Sequence, residues 1–120
     1  MSIIGKWRIA HMDVWDQEAV DLVGPGFIEI SGRGGHLHFI AIDGWLDCRH
    51  GQRGGRPYAA FTWDGNDECD PASGRGWVKL LKDGSLSGHI FIHHGDDSSF
   101  KAVAFKDTDE PRPAKKRGLR

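Results

Sequence analysis

Asp64, Asp67, Glu68 and Asp70 crowd one short stretch of this chain, Phe61 to Trp77, which reads FTWDGNDECDPASGRGW. Carboxylates this close can ligate a cation, work as an acid–base pair, or accept bonds from turn amides. Asp64, Asn66, Glu68 and Asp70 fall at positions one, three, five and seven of a calcium-loop pattern. Cys69 then occupies the position that needs Gly, and Arg75 the position that needs a bidentate Glu, so the EF-hand reading fails. A different cation site remains an alternative. Glycosidase-type hydrolysis needs two carboxyls facing each other across a cleft, and spacing names no separated partner for these. The expected role is a shaped loop whose acids satisfy backbone donors, with Arg75 pairing one of them.

Seven histidines invite a metal reading. His36-Leu37-His38 would set two imidazoles on one strand face about 7 Å apart, making His36 and His38 the candidate ligands for a zinc-like ion. The pattern is similar to the H-x-H of a cupin, but Ile42 and Asp43 stand where that motif wants Glu. His89 and His93 would lie about 13 Å apart along a strand, too far to share one ion. Asp96-Asp97-Ser98 beside His94 holds triad residue types, but triad partners meet through the fold rather than by adjacency, and turn chemistry explains these residues. Nucleotide-binding, hydrolase and C-x-x-C motifs are absent. The expectation is a protein that is not an enzyme and has no cofactor.

These residues must be positioned by a small domain. A chain of 120 residues supports one core. Five Trp and six Phe offset a modest apolar fraction of 38%, and 17 Gly point to many turns between short strands. Net charge is −1, which provides no global field for nucleic acid or an anionic membrane. No basic and apolar leader is read at MSIIGKWR, and no run approaches the ~18 apolar residues of a membrane span, so the cytoplasm is the expected address. Cys48 and Cys69 are expected to be reduced thiols.

Ile3 to Met12 alternates as a strand, with Ile3, Gly5, Trp7 and Ile9 on one face. Asp13 to Leu22 has helical spacing of Trp15, Ala19 and Leu22, and Gly24-Pro25-Gly26 ends it. A meander follows: Phe27 to Ser31, His36 to Asp43, Trp45 to His50, a polar hinge from Gly51 to Gly55, and Arg56 to Trp63 into the acidic loop. Gly76 to Lys82 leads out, Asp83-Gly84 signals a two-residue hairpin, and Leu86 to His94 and Ser99 to Lys106 complete the set. About eight strands with short links predict an all-β, antiparallel up-and-down barrel with one short helix after the first strand; a two-sheet sandwich is the alternative. The barrel domain is placed at 1–106. Residues 107–120 are read as a flexible basic tail, where a nucleic-acid role, not the favoured one, would rest on Lys115, Lys116 and Arg117. The set Trp7, Trp15, Trp45, Trp63, Trp77, Phe39, Phe61 and Phe91 is expected to fill the barrel.

Gly5-Lys6-Trp7 resembles the G-x-W that opens the barrel of lipocalins and other calycins, which implies a barrel with Trp7 as its plug. Trp63-Asp64-Gly65-Asn66-Asp67-Glu68, Gly74-Arg75-Gly76-Trp77 and His93 to Ser98 together are similar to a family of small bacterial proteins with no established activity. That likeness spans roughly Gly5 to Phe105 and implies a bacterial, cytoplasmic barrel. The expected function is non-enzymatic binding of a small apolar or amphipathic molecule at the barrel mouth, through Trp63, Asp64, Asn66, Asp67, Glu68, Arg75 and Trp77. The alternatives are a protein-interaction module with a filled barrel, and a His-ligated metal protein or hydrolase.

Overall fold

A computed structural model describes residues 2–110 of the chain. Its strands are β1 (Gly5–Met12), β2 (Phe27–Ser31), β3 (Gly34–Phe39), β4 (Ile42–Arg53), β5 (Arg56–Asp67), β6 (Asp70–Leu80), β7 (Leu86–Ile92) and β8 (Asp97–Ala104). Each pairs antiparallel with the next, and β8 pairs back onto β1 through Trp7 opposite Ala104, closing an up-and-down barrel. The barrel therefore replaces the sandwich alternative. One short helix, α1 (Gln17–Val20), follows β1.

Strand parity decides what is inside. On β4, Ile42, Gly44, Leu46 and Cys48 face inward and Asp43, Trp45, Asp47 and Arg49 face outward. The same alternation turns Trp77 and Phe91 outward, flanked by buried Gly76 and Val78, and by buried Ile90. The expectation that all these aromatics fill the barrel is corrected on that ground. Trp7, Trp63, Phe39 and Phe61 are core, joined by Phe100, while Trp45, Trp77 and Phe91 stand on the outer wall.

Three of the core aromatics lie over an inward glycine of a neighbouring strand. Trp63 is opposite Gly74, Phe61 opposite Gly76, and Phe100 opposite Gly88. A Cβ on Gly74 would stand 2.7 Å from the Trp63 indole nitrogen, and one on Gly88 2.5 Å from the Phe100 ring. Gly44 leaves room for the other side of the same indole. These glycines weaken their strands, but the ring that covers each gap contributes roughly 1.5–3 kcal/mol by its own burial.

Both ends of the barrel are stoppered. At the end where the chain enters, Trp7 is buried and its indole donates to the Ile3 carbonyl at 2.9 Å, with Ile3 itself buried. Trp7 thus sits where a plug is expected. At the other end, the segment after β1 folds across the opening. Asp16 caps α1 by accepting from the Ala19 amide, Val20 is fully buried, and the Val20 carbonyl accepts from Ile40 at 2.8 Å. Trp15 packs on Phe39 there, with ring centroids 5.8 Å apart. Arg8 holds the segment to β1 through a two-pronged bond to Asp21, at 2.9 and 2.6 Å.

Several boundaries differ from the sequence expectation. The helix is one turn capped by Asp16, because Asp13 is instead engaged by His11 and Ser99. Leu22, expected on the helix's packed face, is exposed. The polar hinge at Gly51–Gly55 is strand up to Arg53, where Gly54 and Gly55 turn with positive φ at both positions, as a type I′ hairpin requires. His36 to Asp43 is two strands, broken by a turn at Ile40-Ala41. Asp83-Gly84 belongs to a longer turn, in which Leu81 and Ser85 close the loop. Asp107–Asp109 forms a 3-10 turn, and residues 111–120, with Lys115, Lys116 and Arg117, lie outside the described residues.

Candidate functional site

The acidic segment is not a loop. Asp64, Gly65, Asn66 and Asp67 continue β5, and Asp70 to Gly76 already belong to β6, so the two strands pair from Tyr58 opposite Lys79 to Asp67 opposite Asp70. Only Glu68-Cys69 turns, with Glu68 at φ 56° and its amide donating to Ala41. The backbone bonds that the acids were expected to satisfy are made by the opposite strand.

The expected site residues are thereby divided. Trp63 is 2% exposed inside the barrel, and its Nε1 is the one buried side-chain polar atom without a partner among the described residues. Asn66, Asp67 and Glu68 lie at the exposed hairpin tip. Asp64, Arg75 and Trp77 point outward from the wall between β4 and β7, where they meet residues that the sequence reading passed over.

That wall carries a furrow. One groove of about 400 Å³ is bordered by Asp47, Arg49, Tyr58, Thr62, Arg75 and Trp77, with Ala60 at its floor. A second, of about 460 Å³, shares Thr62 and Arg75 with it and continues past Ser73 and Phe91 to His93 and His94. A third, of about 320 Å³, shares Ser73, His93 and His94 and ends at Asp64 and Pro71. The furrow exists because the outward residues in the middle of β5, Ala60 and Thr62, are small while their cross-strand neighbours Arg49, Trp77 and Arg75 are large.

Cations and rings alternate along it. The Arg75 guanidinium lies 4.0 Å from the centre of the Phe91 ring, and that of Arg53 4.2 Å from Tyr58. Tyr58 and Trp77 are near-parallel, 6.1 Å apart. Among the described residues, Arg53, Arg56, Arg75 and Lys79 take part in no ion pair. Asp47, the acid nearest them, is already engaged by Arg49 at 2.7 Å and Arg33 at 3.5 Å. The Arg49 bond holds its carboxyl below the usual carboxylate range. The near-zero net charge therefore conceals a segregated pattern. Asp16, Glu18, Asp67, Glu68, Asp70 and Asp96 gather at the α1 end, while Arg33, Arg53, Arg56 and Lys82 stand at the other, together with Asp83 and the acids of 107–110. A reading of Gly54-Gly55 as a hairpin turn would have aligned Arg53 with Arg56 and exposed this pattern in the sequence.

His36 and His38 share the outer face of β3, as expected, and both turn a ring nitrogen toward the same Asp43 Oδ1, at 3.0 and 3.1 Å. Asp43, which stands where the cupin pattern wanted Glu, is the centre of the group. His36 stacks on Trp45 at 4.8 Å, and Phe27 meets both imidazoles. Among the described residues, no three His, Cys, Asp or Glu side chains are arranged to hold a metal ion. His93 and His94, neighbours that regular strand geometry would turn to opposite faces, lie with ring centres 4.0 Å apart where His94 turns at φ 61°.

The triad-type residues do other work. Ser98 is buried, its Oγ accepting from the Val14 amide and donating to the Ser99 carbonyl. Asp97 pairs with His89 at 2.6 Å. Ser99 donates to Asp13, which also meets His11, so a carboxylate stands where a triad needs its imidazole. Cys48 is a buried free thiol and Cys69 an exposed one. Among the described residues, no helix is long and apolar enough to cross a membrane.

No protein-family model matches this chain, and no curated protein is found to match it. The structure itself defines the class, a closed eight-stranded antiparallel barrel, with the basic and aromatic wall as its candidate site.

Proposed function

We propose that this protein is a non-enzymatic binding module that works through the outer wall of β4–β7 and takes anionic ligands. The observation that carries this reading is the set Arg53, Arg56, Arg75 and Lys79, unpaired and sharing a face with Tyr58 and Trp77. Cations left without carboxylates on a furrowed face favour a partner that supplies the negative charge. The apolar ligand expected at a barrel mouth has less support, because Val20 covers one mouth and Ile3 with Trp7 the other. A calycin-like kinship and a place in the small bacterial family belong to the same proposal, resting on Gly5-Lys6-Trp7 and on the three motifs. A cytoplasmic setting is supported by the two unpaired thiols.

Heparin retention tests the reading. The charge-reversed variant Arg53→Glu/Arg56→Glu/Lys79→Glu should elute well before the parent protein at the same ionic strength. Unchanged elution would sink the proposal.

A second reading has its own observation. Trp45 is 56% exposed beside His36 and Phe27, the kind of aromatic patch that a protein-interaction module presents. Concentration-dependent association lost in Trp45→Ala would favour it.

A further inference from the structure

We infer that the occupant of the furrow is an extended single-stranded nucleic acid. This rests on the proposed function and specifies its ligand class. Three features of the wall choose among anionic ligands.

The first is length. The three grooves share walls and follow β5 from Tyr58 to Asp64. At about 3.3 Å per residue the furrow runs for roughly 20 Å. That suits a linear polymer better than a compact metabolite, and compares with the ~4-nucleotide lower end of single-strand sites on small barrels.

The second is the pairing of charge with flat rings. Phosphates need only the cations, which any polyanion would satisfy. Tyr58 and Trp77, half-buried and near-parallel at 6.1 Å, add stacking surface that only planar groups can use. Arg53 and Arg75 already sit over aromatic rings, at 4.2 and 4.0 Å from the ring centres, and a guanidinium can stack on a base as well as donate to a phosphate.

The third is the boundary. The furrow ends at unpaired Asp64, and the acidic tip of the β5–β6 hairpin lies beyond it. Negative charge there would repel a backbone that ran further, which fixes where the strand must leave. Duplex is disfavoured because paired bases keep their faces stacked and cannot reach Trp77. The β4–β5 hairpin is itself a two-stranded ribbon with Arg53 and Arg56 at its turn, so a duplex arm belongs in the test.

The experiment is fluorescence anisotropy of labelled 12-mer oligo-dT and oligo-rU against a duplex of equal length, with the full chain, at low and moderate salt. The single strands should bind at least tenfold more tightly than the duplex. Trp77→Ala should weaken them about tenfold, a larger loss than it causes in heparin retention; Tyr58→Leu reads the same surface if Trp77→Ala does not fold. Arg75→Ala should reduce the salt slope by about one. Heparin retention with equal or tighter duplex binding, or with no effect of the ring substitutions, would overturn the single-strand assignment while leaving the anion-binding reading intact. Loss of single-strand binding on Lys115→Ala/Lys116→Ala alone would overturn it too. Charge-independent heparin behaviour would remove both.

Discussion

The ring of Phe61 occupies the place where a side chain on Gly76 would stand. The two face each other across β5 and β6, and a Cβ at residue 76 would come within 2.6 Å of Phe61 Cζ and 2.5 Å of the His89 carbonyl oxygen on β7, of which only the ring can be trimmed by substitution. Gly76→Ala should therefore lower stability by about 1–3 kcal/mol, the usual cost of overpacking a filled core. In a Phe61→Leu background the cost should shrink, leaving a coupling of about 0.5 kcal/mol or more in a double-mutant cycle read by urea unfolding. Additive effects would mean that the ring and the glycine are independent.

Arg8 and Asp21 set an acid limit on the segment that closes the α1 end. Burial alone would raise the Asp21 pKa, but the bonds from Arg8, the Gly26 amide and Gln17 outweigh it and hold the carboxyl below its ordinary value. A depressed folded value means that the contribution is complete above the unfolded pKa of about 3.9 and is lost as pH falls through the folded value. Melting temperature should hold down to about pH 4 and then decline. Asp21→Asn should cost about 1–3 kcal/mol at pH 7 and show a shallower acid limb, so the two proteins converge at the lowest pH. Parallel curves would contradict this.

The two thiols should differ in reactivity. Burial pushes the Cys48 thiol up from its ordinary pKa, whereas Cys69 is exposed at the hairpin tip. A thiol reagent should modify one equivalent in the native protein and the second only after denaturation. Mass mapping should assign the first to Cys69; early labelling of Cys48 would count against the filled barrel.

Glu68 holds a left-handed backbone position at φ 56°, where glycine suffers no steric cost. Glu68→Gly should raise stability by up to about 1 kcal/mol, and Asp67→Ala should stay within about 0.5 kcal/mol, both measurable by thermal melting. Neither acid makes a side-chain bond among the described residues, so large losses are not expected on either substitution.

Strand count, antiparallel order and the early helix were legible because period-2 alternation and glycine-rich links survive in the residues themselves. Trp7 and Ile9 on one face of β1, with Lys6 and Arg8 on the other, are a direct case. The extent of β5 and β6 was not legible. Asp64, Gly65, Asn66, Asp67, Gly74 and Gly76 all carry turn propensity, and Gly74 and Gly76 suit a strand only because a ring on β5 and a carbonyl on β7 crowd the space a Cβ would take. Arg75 and Trp77, named together from the sequence, both line the furrow. Trp63 does not, and its inward direction depends on the register of the whole hairpin. Arg49, Arg53 and Tyr58 come together across the β4–β5 pairing, which is legible only once Gly54-Gly55 is read as its turn rather than as part of a hinge.

The alternation along β4, β5 and β6 also bears on how this surface can change over time. Arg75 lies between two glycines that the core requires, while its own side chain points away from that core. Substitutions at 49, 58, 75 or 77 alter the wall, whereas those at 61, 63, 74 or 76 alter the packing. A lineage could exchange one set freely while the other stays fixed. The barrel is therefore an evolvable platform, on which recognition can drift without passing through unfolded intermediates.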